Sequence, residues 1–197
     1  MNYFSRSRPC MPPAAIVSPL LLLAAGFLPL APKMVRAQTN GAAQKLGVLL
    51  TPPAGYRAMD PSEAPPAARA AMRGAAVFFV GPITNKYATN VNLVVQPSGG
   101  QKTLPADLPA QLEASMRSQM PSYKVLGSGR LTVGGLNAVR VDGALNQPPA
   151  NTAVQNRQIF VVRGERVYVF TFSSASAAFA RDVPAFDGMM RAVRWTK

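Results

Sequence analysis

The chain contains no histidine, and its one cysteine, Cys10, falls within the first 37 residues. Histidine is the side chain whose ordinary pKa lies near neutrality, so Ser-His-Asp and Cys-His machinery is excluded. The common zinc sites, built from cysteine and histidine, are excluded with it. Acids are scarce as well, with eight Asp and Glu against 21 Lys and Arg. General acid–base chemistry at neutral pH would have to come from a carboxylate or a lysine. The expectation is a protein that is not an enzyme and that carries no cofactor and no metal.

What is present begins with an address. Arg6 and Arg8 supply a positive start, Ile16 to Leu30 an uncharged leucine-rich run, and Val35-Arg36-Ala37 small residues at the −3 and −1 positions. Residues 1–37 therefore read as a secretory signal peptide cleaved after Ala37. The competing reading is a retained anchor. Pro19, Pro29 and Pro32 interrupt the run, which is short against the roughly 20 apolar residues of a membrane span. Cys10 precedes the run and is badly placed for a lipoprotein, and Ser7 splits the arginines that a twin-arginine signal needs.

Export to the periplasm or beyond places residues 38–197 in an oxidising compartment without a cysteine to cross-link them. A hydrophobic core must then hold the fold. The 160 residues left (197 less 37) make one domain, burying about 70% of its unfolded surface. Residues 38–44 read as a flexible polar lead-in and 45–197 as the domain.

Four of the 21 basic residues and none of the acids precede residue 38, so the remainder carries 17 − 8 = +9. The partners this implies are an acidic envelope protein or an anionic lipid surface. Nucleic acid is not expected, since no aromatic-plus-basic signature appears. The basic residues are scattered. Their tightest set is Arg157, Arg163 and Arg166 around one hairpin, with Lys124 as a neighbour. These three arginines are the candidate binding residues, suited to acidic groups. The same set also serves as a solubilising edge that blocks sheet-to-sheet association.

Patterning predicts strands over Lys45–Thr51, Ala75–Ile83 and Val91–Gln96, with an Ala- and Pro-rich loop over 57–73. Leu108, Leu112, Met116 and Met120 recur every four residues and predict a helix over 106–120, stopped by Pro121. Two hairpins follow. The first joins Tyr123–Val133 to Leu136–Leu145 through Gly134-Gly135, the second Val154–Arg163 to Arg166–Phe172 through Gly164-Glu165. A two-residue Gly-Glu turn suits a type II′ hairpin and sets Arg163 opposite Arg166, Val161 opposite Tyr168 and Ile159 opposite Phe170. Both arginines are expected at an exposed tip. Phe179, Val183, Phe186, Met190 and Val193 predict a last helix over 176–193, kinked or restarted at Pro184 with Asp182 as a cap. The order implies an α+β domain, an antiparallel sheet with helices packed on it.

This order resembles the PsbP-like fold family, which includes the PsbP subunit of photosystem II, the Ran-binding protein Mog and the bacterial envelope proteins DcrB and LpqN. The resemblance rests on Pro53-Ala54-Gly55-Tyr56, on Asn90 to Val95, and on Val133 to Ala138. It rests further on Val167 to Phe172 and on Phe179 to Phe186, and spans about residues 45–196. The loop at 57–73 departs from the pattern. The resemblance implies an α/β/α sandwich and an adaptor, assembly or envelope-accessory role. It carries over no catalytic residue, because fold does not fix function.

The remaining candidates have plain readings. Asp60, Glu63, Asp107, Glu113, Asp142, Glu165, Asp182 and Asp187 show no paired-carboxylate spacing and no calcium loop. Lys86, Lys102 and Lys124 lie in or beside loops, and no Ser-x-x-Lys occurs. Tyr168, Phe170 and Phe172 alternate along one strand and read as core in preference to a pocket lining. The expected function is that of an exported, monomeric, non-catalytic adaptor binding an envelope protein. The alternative is a carrier holding a small apolar or lipid ligand between sheet and helix.

Overall fold

Along its best-defined strands the chain is apolar on both alternating sets, so each face of the sheet is a core. Val167 and Val169 are buried on one face, and Tyr168, Phe170 and Phe172 on the other. In this computed structural model, residues 38–60, 69, 72, 74–147 and 151–196 are described. The signal-peptide reading of 1–37 and most of the 57–73 loop lie outside them.

The described elements in chain order are α1 (Gln38–Lys45), β1 (Val48–Leu49), β2 (Arg57–Ala58), β3 (Ala75–Thr84) and β4 (Tyr87–Pro97). Next come α2 (Leu108–Gln119), β5 (Lys124–Val133), β6 (Leu136–Gln147) and β7 (Thr152–Arg163). β8 (Arg166–Ala175), α3 (Ser176–Ala192) and β9 (Arg194–Trp195) close the chain. Seven strands form one antiparallel sheet in the order β2-β3-β4-β8-β7-β6-β5, and β1 pairs with β9 in a separate ladder. α3 and α1 cover one face, where Phe186, Met189 and Met190 meet Ile159, Val161 and Phe170. α2 covers the other, setting Leu108, Leu112 and Met116 over Val141, Phe160 and Val169. The domain is α+β, a sheet between helical layers.

Local chemistry explains most boundaries. The four-residue stripe builds α2, with Pro109 in its first turn, where its missing N–H costs nothing. Asp107 stands at its N-cap, yet its side chain accepts from Gln111 Nε2 at 2.9 Å and does not cap the backbone. The β7–β8 register is the expected one: Arg163 faces Arg166, Val161 faces Tyr168 and Ile159 faces Phe170. Gly164 takes φ 58°, the left-handed conformation that opens such a turn.

Three elements differ from expectation. Residues 38–44 are not a structureless lead-in: they belong to α1, and Ala43 is buried against the core. The strand expected over Lys45–Thr51 shrinks to Val48–Leu49, because α1 runs to Lys45 and Gly47 turns the chain at φ 78°. The last helix does not restart with Asp182 as a cap but continues through Pro184. Pro184 lies inside α3 on its exposed side, as does Ala180. The Ala180 carbonyl that loses its N–H partner therefore faces solvent, and Asp182 is used elsewhere.

Candidate functional site

The three candidate arginines project from one face of the sheet but do not form one patch. Arg157 lies six residues before Arg163 on β7, about 20 Å along the strand. Its Nε donates to Asp142 Oδ1 on β6 at 2.7 Å, and its Nη1 donates to Asp187 Oδ2 on α3 at 2.7 Å. Burial pulls its pKa down, but the hydrogen bonds and charges of the two carboxylates outweigh it and hold the guanidinium above its ordinary range. Asp142 also lies 3.4 Å from Arg140. Arg163 is half-buried rather than exposed at the tip. It donates to the carbonyls of Gly47 and Thr196 and sits 5.3 Å from the Trp195 ring centroid. The reason is tertiary, since the β1–β9 ladder docks there and supplies the acceptors. Arg166 is exposed and, of the three, the one whose side chain has no ion pair or hydrogen bond among the described residues. Lys124 starts β5 at the opposite end of the sheet, not beside the hairpin tip. Charge reversal at Arg157 would therefore test folding and not binding.

A second polar cluster sits where α3 meets β4 and β8. Asp182 Oδ2 accepts from the buried Ser174 Oγ at 3.1 Å and Thr89 Oγ1 at 3.4 Å, while Arg181 Nε donates to Oδ1 at 2.7 Å. The Arg181 hydrogen bond is the largest influence on this carboxyl. With Ser174 and Thr89 it outweighs burial and lowers the pKa below the usual aspartate value. A depressed folded-state pKa stabilises the protein above the unfolded value, near 4, and that contribution is lost as pH falls through the folded value. Asp182→Asn is thus expected to lower stability by about 1 to 2 kcal/mol at neutral pH. The difference from the parent should vanish near the acid end, as urea midpoints measured across pH will show. A serine facing an ionised aspartate, with no base between them, is not an activated nucleophile.

The aromatic stripe is core. Phe172 stacks on Phe186 at 5.5 Å and packs against Phe179 at 5.6 Å, and Tyr168 meets Trp195 edge-on at 4.9 Å. The Tyr168 hydroxyl donates to the Leu46 carbonyl at 2.6 Å. Protein side chains fill the space in which an apolar carrier would hold its cargo on this face.

The opposite face holds something that sequence reasoning missed. Asn90 faces Ser173, which faces Asn156, and one step along Asn92 faces Thr171, which faces Gln158. These six form two transverse polar rows across β4, β8 and β7, and none is more than 9% exposed. Tyr87 bounds the rows at one end, its hydroxyl accepting from Asn90 Nδ2 at 3.3 Å. Tyr123 bounds the other, close to Asn156 above Gly143, where a side chain would collide with both. Burial raises both phenols, each to about 12, against the opposing hydrogen bonds.

No protein-family model matches this chain, and no curated protein matches it. Solved structures do. LpqN of Mycobacterium tuberculosis, described as involved in cell envelope biogenesis, superposes with a TM-score of 0.53 at 15% identity, covering 76% of this chain and 83% of LpqN. Cyanobacterial PsbP from Synechocystis sp. PCC 6803 superposes with a TM-score of 0.53 at 15% identity, over 77% of this chain and 88% of that one. This chain has a PsbP-like fold. A Pseudomonas aeruginosa protein of unknown function gives a TM-score of 0.50 at 21% identity, over 58% of this chain and 78% of its own. At these identities the likeness is one of fold.

Within the PsbP-like sheet, the polar rows leave a signal at period two: Asn90 and Asn92, Asn156 and Gln158, Thr171 and Ser173. Alternation of that kind ordinarily marks a solvated face, so it names the residues but not their burial. Tyr56, in the Pro-x-Gly-Tyr turn, lies against Gly81, whose missing side chain makes room for the ring. No helix among the described residues is long and apolar enough to cross a membrane.

Proposed function

We propose that this chain is an exported accessory protein of the cell envelope that binds an acidic protein partner and performs no chemistry. One observation carries the reading: four acids are bound to arginines within the fold, while exposed cations are left without a counter-charge. Asp142, Asp187, Asp182 and Glu113 are each ion-paired to arginine within the fold. Lys124, Arg130 and Arg166 are exposed and have no ion pair among the described residues. A net positive charge spread over the surface in this way steers acidic partners and sets association rate more than affinity. The signal-like leader and the structural likeness to LpqN support an envelope setting.

The test is crosslinking in intact cells, followed by capture of the tagged protein and mass spectrometry. One dominant envelope protein is expected. Its recovery should fall about tenfold when Arg166, Lys124 and Arg130 are all changed to Glu, with the melting temperature unchanged. Undiminished recovery from that variant would refute steering by these three cations. Sedimentation with anionic vesicles, and no protein captured, would move the reading to a lipid surface.

A further inference from the structure

Buried polar atoms are almost always hydrogen-bonded, and one left unmatched costs about 1–3 kcal/mol. In the two polar rows, Asn90 Oδ1, Asn92 Nδ2 and Gln158 Oε1 are buried with no hydrogen-bond partner among the described residues. Asn156 Oδ1 and the Tyr123 hydroxyl are unmatched as well, but they crowd the same point above Gly143 and can satisfy each other. The other three lie on neighbouring positions of one sheet face. Asn90 and Asn92 are two residues apart on β4, about 7 Å. Gln158 is two strands away from Asn92, across Thr171, about 10 Å. One such atom is ordinary; three on neighbouring positions of one face, all neutral, make a local demand for hydrogen-bond partners.

We propose that these rows form a binding site for a small uncharged molecule bearing hydroxyl or amide groups, seated on Asn90, Asn92 and Gln158 with Thr171 and Ser173 between them. The two amide oxygens take donors from the ligand, and Asn92 Nδ2 gives a hydrogen bond to an acceptor. A hydroxyl supplies both kinds of partner. The six residues include no ionised side chain, and the flanking phenols stay protonated at neutral pH. A charged ligand would therefore be buried without a counter-charge, at heavy cost. The rows are closed to solvent in this structure, so ligand exchange requires local opening of the domain, and a bound molecule should survive gentle purification. The proposal is independent of the partner-binding reading above.

The experiment is native mass spectrometry of protein purified without denaturation, with heteronuclear NMR of the side-chain amides. Glucose and acetamide serve as the hydroxyl and amide probes. The expected result is an adduct released on denaturation, or movement of the Asn90, Asn92 and Gln158 amide signals on adding one of the probes. Gln158→Leu or Asn92→Leu should weaken that probe about tenfold. Adduct-free protein whose three amide signals stay still with both probes overturns the proposal. So does binding that persists unchanged in both variants. Should a variant fail to fold, the measurements on the parent protein decide alone.

Discussion

Replacing Arg157 with methionine is expected to lower the unfolding free energy by about 3 kcal/mol or somewhat more. The side chain is only 13% exposed and neutralises Asp142, 19% exposed, from one strand and Asp187, 33% exposed, from the helix above. Removing it leaves two carboxylates partly desolvated, and removal of one member of such a group typically costs 3–5 kcal/mol. The lower end applies because Asp187 keeps some water and Arg140 stays beside Asp142. Denaturant unfolding followed by circular dichroism measures the loss. The variant that also carries Asp142→Leu and Asp187→Leu should regain much of it, since replacing a buried ionic group by apolar residues is often neutral. A loss below about 1 kcal/mol would instead mean that solvent screens the triad like a surface pair.

Phe186→Ala should cost about 3–5 kcal/mol. Phe186 is fully buried where α3 lies on the sheet and stacks on Phe172, itself fully buried. Truncation removes transfer free energy and opens a cavity that a rigid helix-on-sheet contact cannot close. A domain of this size holds on the order of 5–15 kcal/mol in total, so the melting temperature should drop by about 10 °C. Phe179→Ala, at the partly buried rim of the same cluster, should lose distinctly less. Equal losses would show that the stack is not the centre of the core.

Both predictions depend on contacts of very different legibility. The place of Phe186 in the 179-183-186-190-193 stripe marks it for burial, because helical period is a property of a single segment. The Arg163–Arg166 register was likewise readable, since a two-residue turn leaves one way to pair its strands. Arg157 reads as a surface cation because its strand neighbours say nothing of Asp187, thirty residues on. Residues 38–44 read as a polar lead-in because one buried alanine, Ala43, gives no periodicity to detect. Nothing in the sequence marks the polar rows as buried, since alternation of that kind ordinarily signals a solvated face.

By itself, then, the sequence determined the chemistry that is excluded, through its lack of histidine and of cysteine past residue 37. It also determined the sheet-and-helix order, the two-residue hairpin turns and the apolar stripes. All of these follow from composition or from periods of two and 3.6 within one segment. Only the tertiary structure decided which charges are spent inside the fold, where the β1–β9 ladder docks, and that six polar strand residues are buried together. Those outcomes depend on which segments meet across the sheet, and pairing between distant segments leaves no mark on either one alone.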